Sequence, residues 1–166
     1  MRPEGAMHLL VIEHGVSTNM RHATLAAISE SLAEQGIATF RYNFPYSEKG
    51  GGRMTSTAQS EQSLDGVKGL VFFSFPLHLP GRPDTKRAEH LKQIDIPMRF
   101  LSGTRDALAE IDLPKPVVKN VGEQAKLHLL TTADHSYKIL KKTRTLDEDV
   151  FVEMARVTRI LLEKRS

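Results

Sequence analysis

Five short apolar runs alternate along the chain with segments whose apolar residues recur every three or four positions. The runs are His8–Ile12, 37–43, 67–75, 98–101 and 126–130. Between them, residues 19–35 carry Leu25, Ile28 and Leu32 on one stripe and stop at Gly36, which reads as a helix. Further helices are predicted over 53–62, over Lys86–Gln93, and from Pro114 to Gly122. A last one has Thr145 and Glu148 as its capping box and Val150, Met154, Val157 and Leu161 at helical spacing. Pro45 and Pro76 end the second and third runs, and residues 77–85 hold two prolines and one glycine, a loop over strand ends. Near-continuous apolar strands alternating with helices predict an α/β domain, three-layered and doubly wound around a mostly parallel five-stranded sheet covered on both faces.

Composition narrows this picture without redirecting it. With 166 residues the chain reads as a single domain spanning 1–166, and 40% hydrophobic with 26% charged residues is ordinary for a soluble globular protein. The net charge of +3 is spread thinly, apart from Lys138, Lys141, Lys142 and Arg144, which read as a solvated helix end and do not argue for nucleic acid. The absence of cysteine excludes a disulfide framework and a thiolate metal site. His78, His90 and His128 lack metal-ligand spacing, so neither metal nor cofactor is expected. No apolar stretch approaches the roughly 18 residues of a membrane span, and residues 1–7 do not form a signal peptide, so a soluble cytoplasmic protein with no membrane partner is the expectation. Oligomeric state is not legible.

Two residues bring chemistry into view. Asp106 follows the fourth run through Ser102, Gly103, Thr104 and Arg105, and His135 follows the fifth through Thr131, Thr132, Ala133 and Asp134. Both fall just past the carboxyl end of a strand, the edge at which open α/β sheets bind ligands. Asp then His on successive strands is the order of the second and third members of a hydrolase triad. The imidazole takes a proton from a nucleophile while the carboxylate fixes its tautomer. The bland reading of the same residues is a turn Asp capping a helix and a His satisfied by backbone.

The chain resembles the small α/β-hydrolases related to dienelactone hydrolase, in the branch that includes testis-expressed hydrolase-like proteins and a histone-acetyltransferase-complex subunit. The likeness runs through His14-Gly15, the stretch from Arg41 to Tyr46, Gly51-Gly52-Arg53, Phe75-Pro76-Leu77-His78, Gly103-Thr104-Arg105-Asp106 and Asp134-His135-Ser136. It implies that Asp106 and His135 are the catalytic acid and base, that Gly15 and Val16 form an oxyanion-hole turn, and that the substrate is a small molecule with an ester-like or related acyl bond.

The family's Gly-Gly-Arg is preceded by Gly-Lys-Ser-x, whose serine is the nucleophile, whereas here the glycines follow Ser47, Glu48 and Lys49. A helix, the central strand and the Gly-x-Ser-x-Gly elbow read as missing, on the order of 40 residues. Lys49, which takes the serine position when the stretch is read without gaps, is a poor substitute because a lysine attacks only when burial or a neighbouring cation lowers its pKa, and Ser47 and Ser56 are poor ones because neither is expected on a strand-to-helix elbow. Activity is then expected to be weak or lost. Closing the sheet over the gap gives the order 2-1-3-4-5. The alternatives are a non-catalytic binding or interaction domain, and a phosphate-type anion binder at Lys49, Gly50, Gly51, Gly52 and Arg53, where glycine amides and two cations meet a helix start.

Overall fold

The computed structural model describes residues 1–15, 18–48 and 67–163. The chain falls into two compact units, Met1–Ser56 with Phe151–Ser166, and Thr57–Val150.

In the first unit, β1 (His8–Ile12) pairs in parallel with β2 (Ile37–Arg41), His8 opposite Ile37 and Ile12 opposite Arg41. The crossover between them is α1 (Ala23–Glu34), which buries Ile28 and Leu32 and ends before Gly36. Gly36 sits at φ 74°, a left-handed conformation that favours glycine after a helix. A short helix, α2 (Pro45–Glu48), follows β2. The expectation that β1 is buried on both faces does not hold. Its burial alternates, and Leu9 and Val11 are 65% and 56% exposed beside Phe40 at 57%. These three share one face of the two-stranded ladder, because Val11 pairs with Phe40 and residues two apart point the same way.

The second unit holds β3 (Leu70–Phe73), β4 (Met98–Gly103) and β5 (Ala125–Leu130), all parallel with β4 central. A 3-10 helix covers Lys86–Gln93, and α3 (Pro114–Val121) packs against it and against β5. Leu77, Ala88, Leu91, Met98, Phe100, Val117 and Ala125 form the core between these helices and the sheet. Phe72 stacks on Phe100 with centroids 4.7 Å apart, and Phe75 meets both edge-on. The last helix, α4 (Val150–Glu163), belongs from Phe151 onward to the first unit, and it buries Val150, Met154 and Val157. It begins at Val150 and not at the predicted Thr145 and Glu148 box.

The architecture is α/β with parallel strands and crossover helices, as the alternating pattern predicts. Among the described residues the first unit holds the parallel ladder β1-β2 and the second the parallel ladder β3-β4-β5, whose order agrees with the 3-4-5 part of the expected sheet. The helix predicted over 53–62 lies outside the described residues.

Candidate active site

Strands β4 and β5 run in register from Met98 opposite Ala125 to Gly103 opposite Leu130, so they end level. The chain leaving β4 and the chain leaving β5 therefore turn side by side, and each turn delivers one polar residue. Asp106 is 2% exposed. Its carboxylate accepts the Leu108 N–H at 2.8 Å, and both of its oxygens face His135 Nδ1, at 3.0 and 2.9 Å. The Leu108 carbonyl in turn accepts the amides of Leu77 and His78 at 2.8 and 3.2 Å, tying the acid's loop to the chain leaving β3.

The His135 side chain remains 37% exposed. With Nδ1 turned to a carboxylate that can only accept, Nδ1 carries the proton and Nε2 is left as the basic nitrogen. The turn bearing it is held by Asp134, whose carboxylate accepts the amides of Ser136 and Lys138 at 2.8 and 3.0 Å, while the Asp134 amide donates to the Lys138 carbonyl. Among the described residues no hydroxyl is hydrogen-bonded to His135.

Two residues beside the pair escaped the sequence reading. Tyr137 is buried at φ 65°, and Ser74, directly after β3, is buried at φ 56°. Burial pushes the Tyr137 phenol far above its ordinary range, the Asp106 charge adds to that, and the neighbouring Ser74 hydroxyl pulls the other way. Tyr137 is thereby a neutral hydroxyl close to the acid. The only sequence signal for Ser74 is its place at a strand end before Phe75-Pro76.

The other predicted site residues divide between the first unit and the undescribed part of the chain. Gly15 follows β1, and its carbonyl accepts the Thr18 amide at 3.0 Å, the Thr18 hydroxyl at 3.1 Å and His14 Nδ1–H at 2.9 Å. His14 Nε2 accepts the Phe44 amide at 3.1 Å, which ties the ends of β1 and β2 together. Val16 lies outside the described residues, as do Lys49, Gly50, Gly51, Gly52 and Arg53 of the candidate anion site, and Ser56. Ser47 lies on α2 and donates to the Thr18 carbonyl at 3.3 Å. His78 Nδ1 meets the Leu79 carbonyl at 2.8 Å. Among the described residues no group of three or more His, Asp or Glu is placed to hold a metal ion, and no helix is long and apolar enough to cross a membrane.

Residues 49–162, which include both members of the pair, match the family described as the alpha/beta hydrolase domain. This chain belongs to that family. Solved structures of similar fold include an alpha-beta serine hydrolase homologue from Coxiella burnetii, 17% identical, with a TM-score of 0.64 over 99% of this chain and 89% of that one. Est1E from Butyrivibrio proteoclasticus is 15% identical with a TM-score of 0.66 over 98% and 92%. The a/b serine hydrolase XC6422 from Xanthomonas campestris is 14% identical with a TM-score of 0.62 over 98% and 86%. At these identities the likeness is one of fold, and the chemistry of the hydrolase domain rests on its own residues.

Proposed function

We propose that this hydrolase domain retains the acid–base half of a serine-hydrolase site, descended from an enzyme of the dienelactone-hydrolase-like branch that cleaves ester-like or related acyl bonds, and that its own hydrolytic activity is weak or lost. The observation that carries the proposal is the Asp106–His135 pair, a fully buried carboxylate on Nδ1 of an accessible imidazole. In that arrangement Asp106 orients His135 and would stabilise the imidazolium, and His135 serves as general base through Nε2. A nucleophile must come within about 3.2 Å of that nitrogen to be activated. No described hydroxyl does so, and the sequence has no Gly-x-Ser-x-Gly elbow to supply one.

An imidazole without a nucleophile still catalyses, slowly, by drawing a proton from water. The test is turnover of a p-nitrophenyl ester by the intact chain and by His135→Ala. The expected result is a small excess over buffer, at least 1,000-fold below a serine hydrolase by the usual contribution of a nucleophile–base unit, and absent in the variant (~10³ or more). Fast, saturable turnover would refute the loss of activity. No turnover in either chain, together with thermal stabilisation by phosphate, would favour the anion site at Lys49 to Arg53.

A further inference from the structure

The turns carrying the acid and the base are built as one piece, and the residues that join them are not the pair itself. Gly103 ends β4 directly beneath the His135 turn. A Cβ at this position would collide with the Ala133 carbonyl oxygen and stand 2.7 Å from the Ala133 carbonyl carbon and 2.9 Å from the Asp134 carbonyl oxygen, closer than real Cβ atoms come to other atoms. Backbone cannot yield as the tip of a side chain can, so only a hydrogen fits there. Next in the chain, the Thr104 amide donates to the Leu130 carbonyl at 3.1 Å and Thr104 Oγ1 accepts the Thr132 amide at 2.8 Å. The Arg105 amide donates to the Ala133 carbonyl at 2.9 Å and its guanidinium Nη1 to the Thr132 carbonyl at 3.2 Å.

What these bonds hold is strained. Thr132 is buried at φ 64°, a left-handed conformation that a β-branched residue avoids. Such a conformation persists only where the surroundings over-determine it. Thr104 holds its N–H, Arg105 its C=O, and its own hydroxyl accepts the Leu140 amide at 3.3 Å. Relaxation of Thr132 to an ordinary φ would redirect the next three residues, the third of which is His135.

We propose that Gly103 and Thr104 are positioning residues, which set the Asp106–His135 contact, Thr104 by holding Thr132 in its left-handed conformation and Gly103 by letting the Ala133 and Asp134 backbone close against the end of β4. The proposal rests on the Asp106–His135 pair of the preceding reading, but its test does not use turnover. In the unaltered chain the Thr132 amide should exchange with solvent as slowly as the β4 strand amides, and ¹⁵N-labelled His135 should show a low-field Nδ1–H proton bonded to carboxylate. Thr104→Val, which keeps the shape but removes the acceptor, should lose the low-field proton, Thr104→Ser should restore it, and Gly103→Ala should lose it.

A folded Thr104→Val that keeps the low-field proton would overturn the proposal. So would a Thr132 amide in the unaltered chain that exchanges as fast as one in open solvent, and this measurement decides the matter if either variant fails to fold. Absence of the low-field proton from the unaltered chain would instead count against the pair, which separates the two failures.

Discussion

Of the two members of the pair, the acid is much the more constrained. Asp106 has no solvent exposure at its side chain and receives a backbone amide as well as the imidazole, while His135 leans out with one nitrogen in reach of other molecules. Both residues were legible because each follows an apolar run by a short turn. Tyr137 and Ser74 were not, since left-handed backbone and burial are tertiary outcomes that no local pattern encodes. Tyr137 has a testable consequence. Its phenol titrates above the ordinary value of 10.0 in the folded chain, so the folded state holds that proton where the unfolded state releases it. Its contribution to stability is therefore fully present below pH 10 and falls as pH rises beyond it, and Tyr137→Phe should flatten that alkaline loss in urea unfolding curves.

Glu13 gives the counterpart at acid pH. Burial raises its carboxyl above the ordinary 4.5, although Tyr42, which donates to it at 2.6 Å, and His14 pull it down. The stability linked to its proton is present below pH 4.5 and lost as pH rises through the folded-state value. Glu13→Gln should thus gain stability relative to the parent between about pH 4.5 and 7. A constant difference across that range would contradict the assignment.

Among the elements, β4 determines the second unit, since it pairs on both sides, carries Phe100 in the core and ends in the turn of Asp106. Phe100→Ala would leave Phe72 and Phe75 without their shared ring partner and should destabilise this unit by about 3–5 kcal/mol, read as a lower urea midpoint. Element placement was largely legible, and the misses have local causes. Lys86–Gln93 forms a 3-10 helix, and its buried residues Ala88 and Leu91 are three apart, the spacing that eclipses in that geometry. Over eight residues a period of three and one of 3.6 look alike. The Thr145 and Glu148 box fails because Arg144 spans this stretch, donating to the Thr131 and Glu148 carbonyls, so the segment is held as a loop and α4 starts at Val150.

For the molecule as a whole, family membership is established by the sequence match, and the proposed loss of activity is a separate claim. The chain belongs to the alpha/beta hydrolase domain family and has Asp106 and His135 in contact where two parallel strands end. The sequence contains no Gly-x-Ser-x-Gly, and a run of three glycines follows Lys49. The exposed Leu9, Val11 and Phe40 show that the first ladder is covered on one side, contrary to the two-sided burial anticipated from its apolar strands. Under the proposed loss of the nucleophile, His135 has no serine to activate, and the mass of the intact protein after exposure to a fluorophosphonate decides the matter. Such a reagent captures any serine made nucleophilic by a neighbouring histidine. The expected result is an unchanged mass under conditions that fully label a serine hydrolase. A single adduct on a serine, lost in His135→Ala, would contradict it.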